Sequence, residues 1–172
     1  MKPYLLFFVI LFSSFSWSQD TLPELLKKYN TNSVPYISVQ ELAIPKTEAM
    51  VLDAREKNEF EVSHIKDAIL VGYNDFNLDE VIKNLPNTNE KIVVYCSLGI
   101  RSETIAEKLR KAGYTNIYNL YGGIFEWKNN GFSVVDLDQN ETEKVHAFSK
   151  EWSKWLNKGI KVFDQDSKDD ND

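Results

Sequence analysis

The chain has 172 residues, a formal charge of −6 and a single cysteine, with 42% hydrophobic and 27% charged residues. That acidity makes it a poor binder of nucleic acid, whose phosphate backbone attracts basic surfaces. One cysteine excludes an internal disulfide, so packing alone must hold the core, and a mature chain of about 150 residues is long enough for that.

Met1-Lys2, an apolar run over residues 4–12 and Ser16-Trp17-Ser18 open the chain. A basic start, a short apolar stretch and a small-x-small ending predict a cleaved secretory signal over residues 1–18. The run is too short to span a bilayer comfortably. An exported protein is therefore expected, periplasmic or secreted, with no stable membrane insertion after cleavage. No cysteine stands near the cleavage site to carry a lipid.

Residues 19–34 form an N-terminal segment in which Leu22, Leu25, Leu26 and Tyr29 mark one side of a short helix. Ser38 is placed to cap a helix over residues 39–42, with Glu41 at its third position. Strands follow at 50–53 and 68–71, then a helix over 78–85 capped by Asn77 and closed by Pro86. Ile92-Val93-Val94-Tyr95 is apolar and β-branched, as a parallel strand covered on both faces should be. Ser102 is the expected N-cap of the next helix, whose Ile105, Ala106, Leu109 and Ala112 share a face and which Gly113 ends. A strand at 116–120, a sharp turn at Gly122-Gly123, a helix over 124–130 and an edge strand within 132–135 complete the alternation. Alternating strands and helices predict a parallel sheet covered on both faces. Residues 136–143 read as a polar linker. Residues 142–158 read as an amphipathic helix carrying Val145, Phe148, Trp152, Trp155 and Leu156 close to one face, expected to fold back as a cap, with docking to a partner as the alternative. The acidic tail 164–172 is expected to be solvated and disordered.

Cys96 follows the central apolar strand and faces a helix amino terminus, the place where open α/β sheets put their ligands. Free N–H groups and the positive helix end favour an anion there, so the thiol should ionise more readily than free cysteine. A lone thiol in an oxidising compartment is an oxidation risk, which argues for a chemical role rather than an inert buried cysteine.

The spacing Cys96-x-x-Gly99-x-Arg101-Ser102 resembles the active-site loop of the rhodanese-like sulfurtransferases. Leu52-Asp53-Ala54-Arg55-x-x-x-Glu59-Phe60 is similar to that family's first motif, His64-Ile65-x-x-Ala68 to its second and Leu120-Tyr121-Gly122-Gly123-x-x-x-Trp127 to its last. Four motifs in order cover residues 35–135 and are far more specific together than any one alone. Ser63 and Asp67 stand where the second motif usually has glycine, and residues 72–77 are longer than compact members need, a feature expected to alter access to the pocket. The resemblance implies an α/β fold of three layers, a five-stranded, mostly parallel sheet with helices on both faces. It also implies sulfane-sulfur transfer through a cysteine persulfide.

On this reading Cys96 is the nucleophile of a covalent, two-step transfer from thiosulfate or a persulfide to a thiol or cyanide. The loop residues Ser97, Leu98, Gly99, Ile100 and Ser102 ring the sulfur with backbone N–H groups, and Gly99 allows the turn. Arg101 supplies a fixed cation beside the thiolate or for an anionic substrate; its plainer reading is a helix-start arginine tied to nearby carboxylates. Asp53 and Arg55 are expected as a structural pair under the loop, His64 as a satisfied structural histidine and Trp127 as core packing near the loop. His146 has no metal cluster around it, and neither a metal nor any other cofactor is expected. One cation and the apolar Leu98 and Ile100 predict modest affinity for thiosulfate. The expected partners are a small sulfur donor and a thiol acceptor, or a persulfide-carrying protein, acting on a monomer. Three alternatives stand beside this: a phosphatase, although related phosphatases and arsenate reductases place five residues between cysteine and arginine rather than four; a non-catalytic binding module; and a redox sensor acting through a Cys96 sulfenate or mixed disulfide.

Overall fold

The computed structural model describes residues 21–85 and 87–164. The expected signal at 1–18 lies outside them, as does the acidic tail apart from Asp164.

Thr21 caps α1 (Leu22–Tyr29) in a reciprocal box with Glu24. β1 (Tyr36–Ile37) leads to α2 (Val39–Leu42), capped by the Ser38 hydroxyl. Then come β2 (Met50–Asp53), α3 (Lys57–Val62), β3 (Ile69–Leu70) and α4 (Leu78–Lys83), the last capped by Asn77. In this first half α1, α2, β2, β3 and α4 stand where the local signals put them, whereas β1 and α3 were not expected. β4 (Ile92–Tyr95), α5 (Arg101–Lys111), β5 (Ile117–Leu120) and α6 (Gly123–Asn129) close the domain. The five strands pair in the order β1-β5-β4-β2-β3, and every pairing is parallel.

β4 lies at the centre and is buried on both faces. Val93 and Tyr95 join one apolar cluster with Ile37, Leu120, Ile124 and Phe125; Ile92 and Val94 join the other with Leu52, Ile105, Ala106 and Leu109. The strand's period of two thus feeds two cores, which is why its sequence is a continuous apolar run.

Asp67, where the family motif has glycine, has φ +62. Aspartate tolerates this left-handed region better than most side chains. Ser63 is extended, with φ −174, and its position needs no glycine.

The C-terminal region departs from expectation. Residues 132–135 do not extend the sheet: β6 (Val134–Val135) pairs antiparallel with β7 (Glu141–Thr142) and bridges to His64. The expected linker is thus a hairpin, closed by the Asp136 carboxylate accepting from the N–H groups of Asp138 and Asn140. The expected helix over 142–158 is absent. β8 (Lys144–His146) pairs in parallel with β9 (Ile160–Val162), and Trp152–Trp155 form one 3₁₀ turn. The helical spacing of the apolar residues was overruled by tertiary contacts. Val145 enters the core from β8, and Ala147 and Leu156 enter it from irregular chain. Asn129 on α6 satisfies backbone groups that a helix would have paired internally, donating to the Trp155 carbonyl and accepting from the N–H groups of Asn157 and Lys158. Lys128 reaches Glu143 at 2.8 Å. The segment does fold back over the domain, as expected, but not as a helix.

Candidate active site

Cys96 sits at the carboxyl end of β4 and is buried. The chain turns back through residues 97–100 before α5 begins at Arg101. Gly99 makes this turn with φ +96, and a Cβ there would crowd the Leu120 carbonyl. On the other side, Gly123 adopts φ +56 where a Cβ would run into the Cys96 carbonyl, so the glycine pair after β5 lets α6 close against the loop. That contact is fixed by the N–H groups of Ile124 and Phe125 donating to the carbonyls of Cys96 and Ser97.

The sulfur is held by donors. The Gly99 N–H points at Sγ from 3.1 Å, and the Ser102 hydroxyl stands 3.5 Å away. Burial pushes the Cys96 thiol up, but the Arg101 charge, Ser102 and the Leu98 N–H outweigh it, and the net shift is below the ordinary thiol value. Ser102 is not the helix cap: it lies inside α5, and its hydroxyl is also 2.7 Å from Asn119 Oδ1.

Arg101 is tied to a carboxylate, as its plainer reading expected. Its Nη1 and Nη2 donate to Glu59 Oε2 and Oε1 at 2.7 and 2.8 Å, and Nη2 also donates to Ser97 Oγ at 3.1 Å. Its guanidinium lies 4.8 Å from the centre of the Phe148 ring. Burial raises the Glu59 pKa, but Arg101 and then Arg55 overcome that, so the carboxyl stays below its usual range and ionised.

Asp53 and Arg55 form a fully buried pair at 2.7 Å. Arg55 also donates to the Ser63 carbonyl, and Tyr95 donates its hydroxyl to Asp53 at 2.5 Å. His64 is buried, stacked on Phe60 with ring centres 3.9 Å apart, its Nδ1 3.2 Å from the Phe60 carbonyl. Trp127 donates to the Ser133 carbonyl and packs on Phe132. Neither His64 nor Trp127 lines the cavity at Cys96.

That cavity has a volume of about 150 Å³ and is lined by Cys96, Ser97, Leu98, Ile100, Arg101, Phe148 and Trp152. The loop residues were legible in the sequence; Phe148 and Trp152 were not, having been assigned to a helix. Residues 72–77, expected to shape access, line no part of it. Sequence reasoning also passed over Glu59, although it lies in the first motif four residues after Arg55, and missed Asn30 and Asn119, whose amides both donate to the Gly99 carbonyl at 2.8 Å. Glu103 was missed as well. Buried at the start of α5, it accepts from the N–H groups of Thr31 and Ser33 and so ties the N-terminal segment to the loop. Among the described residues no group of three His, Cys, Asp or Glu is placed to hold a metal ion.

The arrangement is a thiol at a strand end, facing amide hydrogens and a guanidinium, on a parallel sheet with helices on both sides. The sequence profile of the Rhodanese-like domain matches residues 38–130, and the chain belongs to that family. A Bacillus subtilis relative, uncharacterized protein YqhL, is 34% identical over 101 residues, covering 58% of this chain and 76% of that one. The tRNA uridine(34) hydroxylase of Aster yellows witches'-broom phytoplasma is 31% identical over 103 residues, covering 54% of this chain; the chain spans only 32% of that protein's length. Among solved structures, a rhodanese-related protein from Thermoplasma volcanium is similar with a TM-score of 0.52 and 32% identity, covering 59% of this chain and 97% of that one. Phe148 and Trp152 lie beyond the matched residues 38–130.

Proposed function

We propose that this protein is a sulfurtransferase that carries a sulfane sulfur on Cys96. The observation that carries the reading is Sγ, 3.1 Å from the Gly99 N–H and beside Arg101, opening on a cavity large enough for a small donor. In the first half-reaction the Cys96 thiolate attacks the outer sulfur of a donor such as thiosulfate. The donor's S–S bond breaks, and sulfite leaves with the electron pair. In the second, a thiolate or cyanide attacks the outer sulfur of the persulfide, and Cys96 departs as thiolate. Both enzyme forms are anions, and the same loop N–H groups and the Arg101 charge support each.

Membership of the family, the intact thiol and its lowered pKa support catalysis over a binding role. The test is thiocyanate formation from thiosulfate and cyanide, with mass spectrometry of the donor-treated protein. Wild type is expected to make thiocyanate and to gain about 32 Da on Cys96, whereas Cys96→Ser does neither. Equal turnover by both forms removes Cys96 as the nucleophile.

A further inference from the structure

We infer that the C-terminal segment selects the donor: Phe148 and Trp152 complete a cavity for a sulfur compound with an aromatic body and no more than one negative charge. The inference rests on the sulfurtransferase reading and adds the substrate class to it.

Charge is the first argument. Apart from the Cys96 thiolate, Arg101 is the only charged side chain lining the cavity among the described residues, and each of its outer nitrogens donates to ionised Glu59. The pair is neutral, and the Cys96 thiolate leaves the site with one net negative charge. A dianion such as thiosulfate meets no uncompensated cation there, in a chain of formal charge −6.

Shape is the second. Leu98, Ile100, Phe148 and Trp152 give the cavity an apolar wall, and about 150 Å³ is the size of an apolar cavity known to accept a benzene ring. Phe148 is 46% exposed, and Tyr29, 48% exposed, meets Trp152 edge-on at 5.8 Å. Aromatic side chains therefore continue from the cavity to the surface. Phe148 is held out of a regular conformation to stand there: its φ is +64, and its N–H donates to His146 Nδ1 at 3.2 Å. A bulky residue in the left-handed region is unfavourable unless the surroundings impose it. Its ring covers the Arg101 guanidinium rather than entering the core.

An aryl thiosulfonate fits this description. The Cys96 thiolate attacks its outer sulfur, the bond between the two sulfurs breaks, and the aryl sulfinate leaves with the electron pair. The products are Cys96 persulfide and a monoanion.

The experiment compares kcat/KM for three donors with cyanide as acceptor: thiosulfate, methanethiosulfonate and benzenethiosulfonate. The two thiosulfonates share one charge and differ in the ring. Wild type is expected to prefer benzenethiosulfonate over methanethiosulfonate, and both over thiosulfate. Phe148→Ala and Trp152→Ala are each expected to lower the benzene-to-methane ratio by about tenfold, the scale of losing a good apolar contact. Phe148→Tyr, which keeps the ring, is expected to restore it. Comparing that ratio between variants cancels the donors' intrinsic reactivities and any partial loss of folded protein. Ratios equal in wild type and both alanine variants overturn the aromatic selection while leaving sulfur transfer standing. Failure of all three donors to give thiocyanate or the mass gain on Cys96 removes the transfer itself, and this inference with it.

Discussion

Glu59 and Arg101 face each other as two parallel hydrogen bonds of 2.7 and 2.8 Å, joining α3 to the first residue of α5 across the mouth of the cysteine loop. Glu59 is also the third residue of α3, where its carboxylate accepts the Glu56 N–H at 2.9 Å. With Glu59 almost fully buried and Arg101 mostly so, removing one partner leaves a charge without its counterpart. Glu59→Gln is expected to lower stability by about 3 kcal/mol, seen as a lower urea midpoint. The folded Glu59 carboxyl titrates below its ordinary value. Its contribution is therefore present in full above about pH 4.3, the ordinary glutamate value, and is lost as pH falls through the lowered one. The gap between wild type and Glu59→Gln should close at acid pH. A gap that stays constant, or widens, contradicts an ionised pair.

The thiol offers the most direct reading of the loop. With its pKa below that of an ordinary cysteine, Cys96 is more ionised at neutral pH than a free thiol. The pH profile of its alkylation rate is expected to have a midpoint below about 8.5, and Arg101→Ala should move that midpoint up. A profile like that of free cysteine, unmoved by Arg101→Ala, contradicts the role given to the guanidinium.

Much of this was readable locally. The Ser38 and Asn77 caps, the β4 run and the Cys96-to-Arg101 loop are each set by a few adjacent residues, and each stands where the sequence placed it. What was not legible depends on distant partners. Glu59 meets Arg101 42 residues away, and Glu103 meets Ser33 across 70. No local pattern announces either. Residues 142–158 carry a helical apolar spacing, yet Asn129 and the open edge of β9 satisfy their backbone instead. Ser102 looked like a cap because serine caps helices, but α5 begins one residue earlier and turns that hydroxyl inward to Asn119.

Beneath the loop, Tyr95 links two otherwise separate groups. Its hydroxyl donates to Asp53 at 2.5 Å and accepts the Ile65 N–H at 3.1 Å, while burial and the Asp53 charge hold its pKa well above the ordinary value. The group therefore stays a donor throughout the working pH range. Tyr95→Phe keeps the packing but strands a buried N–H and removes one of the hydrogen bonds to Asp53. A loss of about 1–3 kcal/mol is expected in denaturant unfolding. An unchanged midpoint contradicts a structural role for the hydroxyl.

Asn119 sets a competition for one proton. The Ser102 hydroxyl has a single hydrogen, and its oxygen lies 2.7 Å from Asn119 Oδ1 and 3.5 Å from Cys96 Sγ, so the nearer Asn119 weakens its donation to the sulfur. Asn119→Leu removes that acceptor and frees the hydroxyl to turn toward the thiolate. It also removes one of the two amides on the Gly99 carbonyl, leaving Asn30 to hold the loop. Two effects of opposite sign are expected. Stability falls by about 1–3 kcal/mol, because a buried network loses a member. The alkylation midpoint of Cys96 moves down, because the thiolate no longer shares that donor with Asn119. The double variant Asn119→Leu with Ser102→Ala keeps the stability loss but not the downward move. A midpoint that rises in Asn119→Leu, or that falls equally without the Ser102 hydroxyl, contradicts the shared proton and assigns Asn119 to the fold alone.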